Sequence, residues 1–467
     1  TEGDIVRMAE RLAHHHGEVL RASGGADPDR LERVFRLSAW PRQELDLGSI
    51  EGAAPTAPGA PEGAPRPSPK VGTLRLLETP AFGGAQRLQT QHARDIREID
   101  RHTWNDALGD RGGFDWHGLL FQQSFFAERA AAPEHDRWQF HYFLVRDGAG
   151  RTVLATFATV ALAKDDLFAP PDVSQKAEEL RAEDPYALTS RVVMVGSMLS
   201  EGRHLFLDAE HPGRFEALDL LIERLGEISE EAGAGSIVLR DFDEQEDLLL
   251  RQPLLERGFT PLTLPDDYSL EIGAGWSDVE TFARERFNAK RRWKLRREIL
   301  DKAPLYTVEV TARPLDSERL RHLHGLYRNV RRGKLRLNTF ELPVELLAAM
   351  GEDSRWEFLE LFWKSGGPTL KSGAPASVAI AACYRGPSVY EMLLASLDYD
   401  YVAEGGCYRQ LLHQTVQRAN ALGGGIARVN LGFTGDLAKR RVGASPSKTF
   451  AYVQLEEHLA QDLLRAL

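Results

Sequence analysis

The chain has 467 residues, a net charge of −11 and a pI near 5.8, with 42% hydrophobic and 27% charged residues. That length exceeds one ordinary hydrophobic core and predicts two or three packed units. The composition argues against a disordered chain, and no apolar run approaches the ~20 residues of a bilayer span. The acidic balance argues against a protein that coats nucleic acid over its whole surface. Two cysteines, Cys383 and Cys407, give no disulfide framework and suit a reducing cytoplasm, the expected location. The chain opens at Thr1 with neither an initiator Met nor a signal-peptide pattern, which reads as a processed end of a longer polypeptide.

Residues 1–47 predict a helical segment: Asp4 caps, Ile5, Met8 and Leu12 repeat at helical spacing, and a second short helix follows Pro28. His14, His15 and His16 are consecutive, so on a helix they diverge and cannot share a metal, and no metal site is expected. Residues 48–70 (from GAAPTAPGAPEGAPRPSPK) lack large apolar side chains and read as a linker. The opening TEGDIVRMAERLAHHHGEVL resembles the last helix of pyridoxal-phosphate-dependent α-oxoamine synthases. That resemblance implies a fusion in which a preceding synthase domain, the sole user of PLP, hands an amino ketone to this part.

Residues 71–274 alternate strand and helix signals. HYFLVRD and RTVLATFATVAL predict a hairpin around Gly148 to Gly150, followed by the strand RVVMVGSML, the amphipathic helix FEALDLLIERLGEISEEAG and the strand SIVLRDF. Residues 275–467 repeat the order: a hairpin across Arg385 to Ser388, the helix CYRQLLHQTVQRANALGGG and the strand IARVNLGF. The fold class expected is α/β, two tandem domains, each a mixed central sheet flanked by helices.

The most informative segment is LLASLDYDYVAEGGCYRQLLHQTVQRA. A strand predicted to end near Tyr401 meets a loop with Gly405 and Gly406 that opens directly into a helix. Unpaired amides and the positive end of a helix dipole then coincide, which suits a pyrophosphate. Val402, Ala403, Glu404, Gly405, Gly406 and Cys407 form this expected carrier loop, with Arg409 adding a cation.

This layout resembles the GNAT superfamily, loosely in its Gly-rich loop (AEGGCY), and within it the FemAB-like and BioF2-like branch that pairs two GNAT domains. RFNAKRRWKLRREILDKAPLYTVEV resembles the basic helix opening the second FemAB domain, with Lys290, Arg291, Arg292, Lys294, Arg296 and Arg297 giving six cations in eight residues. VNLGFTGDLAKRRVGA resembles the closing segment, where Lys439 and Arg440 are expected to meet phosphate. The first half departs from the pattern: its loop GSMLSEGRHLFLDAEHPG has Gly202 alone. One carrier site is therefore expected, in the second domain, with the first domain shaping the acceptor side.

An attacking amine needs a base, and a leaving thiolate needs a proton. Period-two alternation predicts Asp398 and Asp400 on one strand face and Tyr399 and Tyr401 on the other. Asp398 is the expected base, Tyr401 or Tyr408 the expected acid, and His204 a second candidate base in the first domain. Trp116, His117, Asn338 and Asp400 are expected to line the acceptor pocket. Cys407 has no evident base beside it, so no covalent intermediate is expected.

These residues predict an N-acyltransferase that carries an acyl group from acyl-CoA, or from an acyl carrier protein, directly to a small-molecule amine, with CoA as co-substrate. The alternatives are an aminoacyl-tRNA-dependent FemAB-like transferase, weakened by the acidic chain, and a carrier-binding module without catalysis.

Overall fold

The computed structural model describes residues 88–129, 131–272, 279–333, 335–423 and 425–455. The helices expected in residues 1–47, the expected linker and the synthase-like segment lie outside the described residues. Among the described residues no helix is long and apolar enough to cross a membrane.

Strands β1 (Gln89–Ala93), β2 (Gln139–Arg146), β3 (Thr152–Lys164), β4 (Thr189–Val195), β5 (Phe206–Leu207), β6 (Ser236–Phe242) and β7 (Thr260–Glu271) come from the first half. The second half supplies β8 (Tyr306–Thr311), β9 (Trp356–Trp363), β10 (Ala379–Arg385), β11 (Val389–Leu397), β12 (Arg428–Phe433) and β13 (Ser445–Leu455). The helices are α1 (Arg101–Leu108), α2 (Trp116–Phe126), α3 (Pro171–Arg181), α4 (Arg214–Ala232), α5 (Glu244–Glu256), α6 (Val279–Arg286), α7 (Ala289–Glu298), α8 (Ser317–Arg332), α9 (Val344–Glu352), α10 (Asp400–Ala403), α11 (Cys407–Leu422) and α12 (Asp436–Arg441).

All strands join one mixed sheet in the order β1-β2-β3-β4-β6-β13-β7-β12-β11-β10-β9-β8, with β5 on β3. The two halves repeat one motif. β2 and β3 form the hairpin expected around Gly148, β10 and β11 the one across Arg385 to Ser388. In each half a long helix then connects two parallel strands, β4-α4-β6 and β11-α11-β12. The glycine ends are real stops: Gly233 closes α4 at φ 59, where its amide bonds back to the last turn, and Gly423 closes α11 at φ 57.

The halves exchange strands at the sheet centre. β7, early in the chain, pairs with β12, while the last strand, β13, inserts between β6 and β7 and so completes the first half's sheet. A shared core seals the contact: Trp104, Phe126 and Tyr142 from the first half pack in one cluster with Leu326, Met350 and Tyr384 from the second. Tyr384 Oη donates across it to Asp115, the cap of α2, at 2.6 Å. Each fully buried apolar side chain of this kind contributes roughly 1.5–3 kcal/mol.

Candidate functional site

β11 follows β10 along its whole length, but it pairs with β12 only from Val389 to Glu391, opposite Arg428 to Asn430. From Met392 onward the parallel strands part, leaving a slot through the sheet. Its two faces differ. Met392 points toward α11, where its sulfur lies 3.9 Å from Thr415 Oγ1. Alternation turns Glu391 to the opposite face, where Gly113 of the first half donates its amide to Oε2 at 2.9 Å.

On the α11 face, the helix starts at Gly406, which holds φ 70 and supplies no side-chain cap. The amides of Cys407, Tyr408 and Arg409 in the first turn have no backbone acceptor one turn back, and those of Cys407 and Tyr408 lie against the Cys407 sulfur. They border a cleft of about 420 Å³ lined by Val402, Gly406, Tyr408 and Arg409 on one side and by Gly435, Leu437 and Ala438 of the β12–α12 turn on the other. Gln410 stacks one turn above Gly406, to whose carbonyl its own amide donates. It is 1% exposed, and neither polar atom of its side chain has a partner. Lys302 Nζ donates to the carbonyl of Glu404, tying the loop to the segment after α7. Glu298, the last residue of α7, lies 3.7 Å from Arg409 and 3.1 Å from Arg441.

Three of the expected carrier residues, Val402, Gly406 and Arg409, therefore line the cleft, together with the acid candidate Tyr408. Ala403 and Glu404 are exposed on the loop. Gly405 is a packing glycine, because a Cβ there would lie 2.7 Å from the Trp363 ring and 2.9 Å from Tyr401 O. Cys407 is buried, its thiol directed to Asp398 O at 3.7 Å and pushed up to about 12 by burial, with the Asp398 charge adding to the rise. Lys439 is turned into the sheet: its ammonium donates to Gly432 O at 2.6 Å and Phe433 O at 2.7 Å, so it braces the bulged strand rather than facing the cleft. Arg440 lies over the Tyr268 ring, 5.8 Å from its centroid, and its carbonyl accepts from Arg291.

The strand predicted to reach Tyr401 ends at Leu397, and this changes the acid–base candidates. Asp398 Oδ1 accepts the Asp400 amide at 3.1 Å, a local turn that starts α10 at Asp400. Asp398 and Asp400 are therefore not on one strand face, since alternation no longer applies. Tyr401 packs on Trp363, ring centroids 5.3 Å apart. Tyr408 is the candidate acid at the cleft, and burial holds its phenol above the usual range.

The acceptor-side candidates are dispersed. Trp116 Nε1 donates to Ile96 O at 3.0 Å, fixing α2 on the preceding turn. His117 Nε2 pairs with Asp353 at 3.0 Å across the halves. Asn338 is buried and donates to Asp166 and Glu178, both at 2.8 Å, in an ionic lock with Lys164 and Arg181. His117 and Asn338 thus tie the halves together, while Trp116 acts within the first half.

His204 fills the first half's counterpart of the slot. β4 parts from β6 after Val195, but Gly196 lies flat against the imidazole, and Nε2 is 2.8 Å from Arg240 O. A Cβ on Gly196 would stand 2.9 Å from that ring. Burial, reinforced by the Arg240 charge, lowers the His204 pKa to about 3. The Ser197 hydroxyl donates to Gln122 at 2.9 Å and lies 2.9 Å from Ser200 Oγ, packing the rest of that gap.

On the Glu391 face the slot ends in a small pocket lined by Glu391, Met392, Leu393, Asn430 and Gly432 together with Glu201 and Asp267. Glu201 reaches in from the first half and accepts the Phe433 amide at 3.0 Å. Burial, partly offset by the Gly113 amide and reinforced by Glu201 and Asp267, raises Glu391 to about 8. Asp267 is raised to about 6, again by burial first and the Glu201 charge second. Sequence reasoning left all three out of the site. Glu391 carried a readable signal, as the one charge in the apolar strand VYEMLLASL. Glu201 and Asp267 come from distant segments with no local pattern.

No protein-family model matches the chain, and no curated protein matches it by sequence. Solved structures do match. FemX aligns at a TM-score of 0.50 and 12% identity, covering 80% of this chain and 99% of its own. A tandem GNAT protein from the clavulanic acid biosynthesis pathway gives 0.44 and 10% identity, covering 79% and 98%. L-PGS from Bacillus licheniformis gives 0.39 and 13%, covering 73% and 93%. The chain has a tandem GNAT fold. It shares that fold with FemX.

Proposed function

We propose that the chain is an N-acyltransferase in which a carrier thioester enters the β11–β12 slot from the α11 face and an amine meets it from the Glu391 face. The observation that carries this reading is the slot itself, with an uncapped helix N-terminus on one side and a buried carboxylate on the other. The helix N-terminus of α11 and Arg409 favour a phosphate-bearing carrier, with acyl-CoA the first donor to test. The acceptor side is built from both halves, residues 71–274 contributing Glu201, Asp267 and the Gly113 turn, and residues 275–467 contributing Glu391.

A cationic amine suits a pocket with three carboxylates, and among the described residues no three side chains are set to hold a metal ion. Glu391, near 8, can take a proton from an ammonium and leave the free amine as nucleophile. The nitrogen attacks the thioester carbonyl and the C–N bond forms, the second amine proton leaves to solvent, the C–S bond breaks, and Tyr408 protonates the departing thiolate and regains its proton from solvent. Glu391 thus replaces Asp398 as the base we favour. The products are an amide and the free carrier thiol.

The test is thiol release from acetyl-CoA in the presence of aliphatic amines, including an α-amino ketone, with Glu391→Gln as control. Amine-dependent release that fails in the variant supports the reading. Binding of CoA without release for any amine makes the chain a carrier-binding module instead.

A further inference from the structure

The six cations of α7 take no part in the slot, yet the helix packs directly on its rim: Arg291 donates to Arg440 O at 2.9 Å, and Glu298 contacts Arg409 and Arg441. Arg292, Trp293, Arg296 and Arg297 recur at i, i+1, i+4 and i+5, one stripe facing solvent. Arg297 lies over the Trp293 indole, 5.1 Å from its centroid, and Trp293 is 56% exposed. At the mouth of the cleft, Leu437 is 72% exposed. The chain as a whole is acidic, with a net charge of −11.

We infer that the α7 stripe and Leu437 dock a small acidic carrier protein, whose phosphopantetheine arm delivers the thioester into the adjacent cleft. The inference rests on the acyl-transfer reading and names the donor for that same site. Three features favour a folded protein over RNA. The patch is one ten-residue helix, about 15 Å long, which matches a single partner helix. Exposed Trp and Leu among arginines are the composition of a protein interface core. The net charge of −11 over the whole chain disfavours an extended polyanion that would follow its surface beyond this helix.

The experiment compares wild type with the triple variant R292E/R296E/R297E and with W293A. The donors are acetyl-CoA, an acetyl-loaded acyl carrier protein of a type II fatty-acid synthase and an aminoacyl-tRNA, each at low and high salt. The expected result is a rise of about tenfold or more in KM for the carrier-protein donor in the triple variant, with acetyl-CoA kinetics within about twofold of wild type. The carrier-protein KM of wild type should also climb with salt. Calorimetry with the same carrier protein in its acyl-free holo form reads docking without turnover. Binding to wild type that the triple variant loses, with no transfer from either thioester, keeps the docking surface and removes the acyl-transfer reading. Absence of binding to wild type, equal losses with both thioester donors, or a charge-reversal effect seen only with aminoacyl-tRNA overturns the inference.

Discussion

Gly113 of the first half donates its amide to Glu391 Oε2 of the second half at 2.9 Å, and a Cβ on neighbouring Gly112 would stand 2.8 Å from the same oxygen. The first half thus grips the proposed base through two glycines that allow this approach. Glu391→Gln should lower kcat by about 100-fold or more with acetyl-CoA as donor. Wild-type kcat should rise as pH passes through about 8, where Glu391 ionises. The stability effect has the opposite sign. The folded pKa lies above the unfolded value, so the contribution is complete below the ordinary carboxylate range and is lost as pH rises through about 8. Between pH 5 and pH 9, wild type should therefore lose more Tm than Glu391→Gln. Equal losses would mean that Glu391 does not titrate in that window.

Gly405 and Gly406 are adjacent but should fail differently. A Cβ on Gly405 meets Tyr401 O at 2.9 Å, and a backbone oxygen cannot rotate away. Gly405→Ala should cost roughly 1–3 kcal/mol in urea unfolding and displace the loop. A Cβ on Gly406 would make only ordinary contacts, the nearest at 3.6 Å, but the residue sits at φ 70. Gly406→Ala should cost only about 1 kcal/mol. CoA affinity should fall more in the first variant than in the second.

Periodicity and glycine stops were enough to read the repeated hairpin, helix and strand in each half, because those signals are local. The strand exchange was not readable, because β13 chooses β6 and β7 through contacts hundreds of residues away. The loop at Gly406 was readable for the same local reason as the helix it opens. The faces of Asp398 and Asp400 were misread because one side-chain bond to the Asp400 amide ends the strand, and alternation cannot register such a turn. Lys439 looked like a phosphate cation because a charge run reads as solvated, whereas two strand carbonyls draw its ammonium inward.

That inward turn separates Lys439 from Arg409 in experiment. Lys439→Met removes two charge-assisted bonds and should cost about 2–3 kcal/mol of stability, with CoA affinity changed little once folded protein is selected. Arg409→Ala should leave urea unfolding nearly unchanged and raise the CoA Kd about tenfold, since the guanidinium is partly exposed beside the first turn of α11. The reverse pattern would put the carrier phosphate at α12.

His204 tests whether the first half's gap is structural filling. The imidazole is buried against Gly196 and the Arg240 carbonyl, with its pKa lowered to about 3. A lowered base favours the neutral form in the fold, so its contribution is complete above the unfolded value of 6.5 and is lost as pH falls toward about 3. His204→Ala should cost roughly 2 kcal/mol or more near neutral pH, from the cavity it leaves between β4 and β6. It should also lose less stability than wild type on acidification below pH 6. Its kcat between pH 7 and 9 should stay within about threefold of wild type, because a group already neutral there gives no titration step. A pH–rate profile that loses a limb in His204→Ala would instead return this histidine to catalysis.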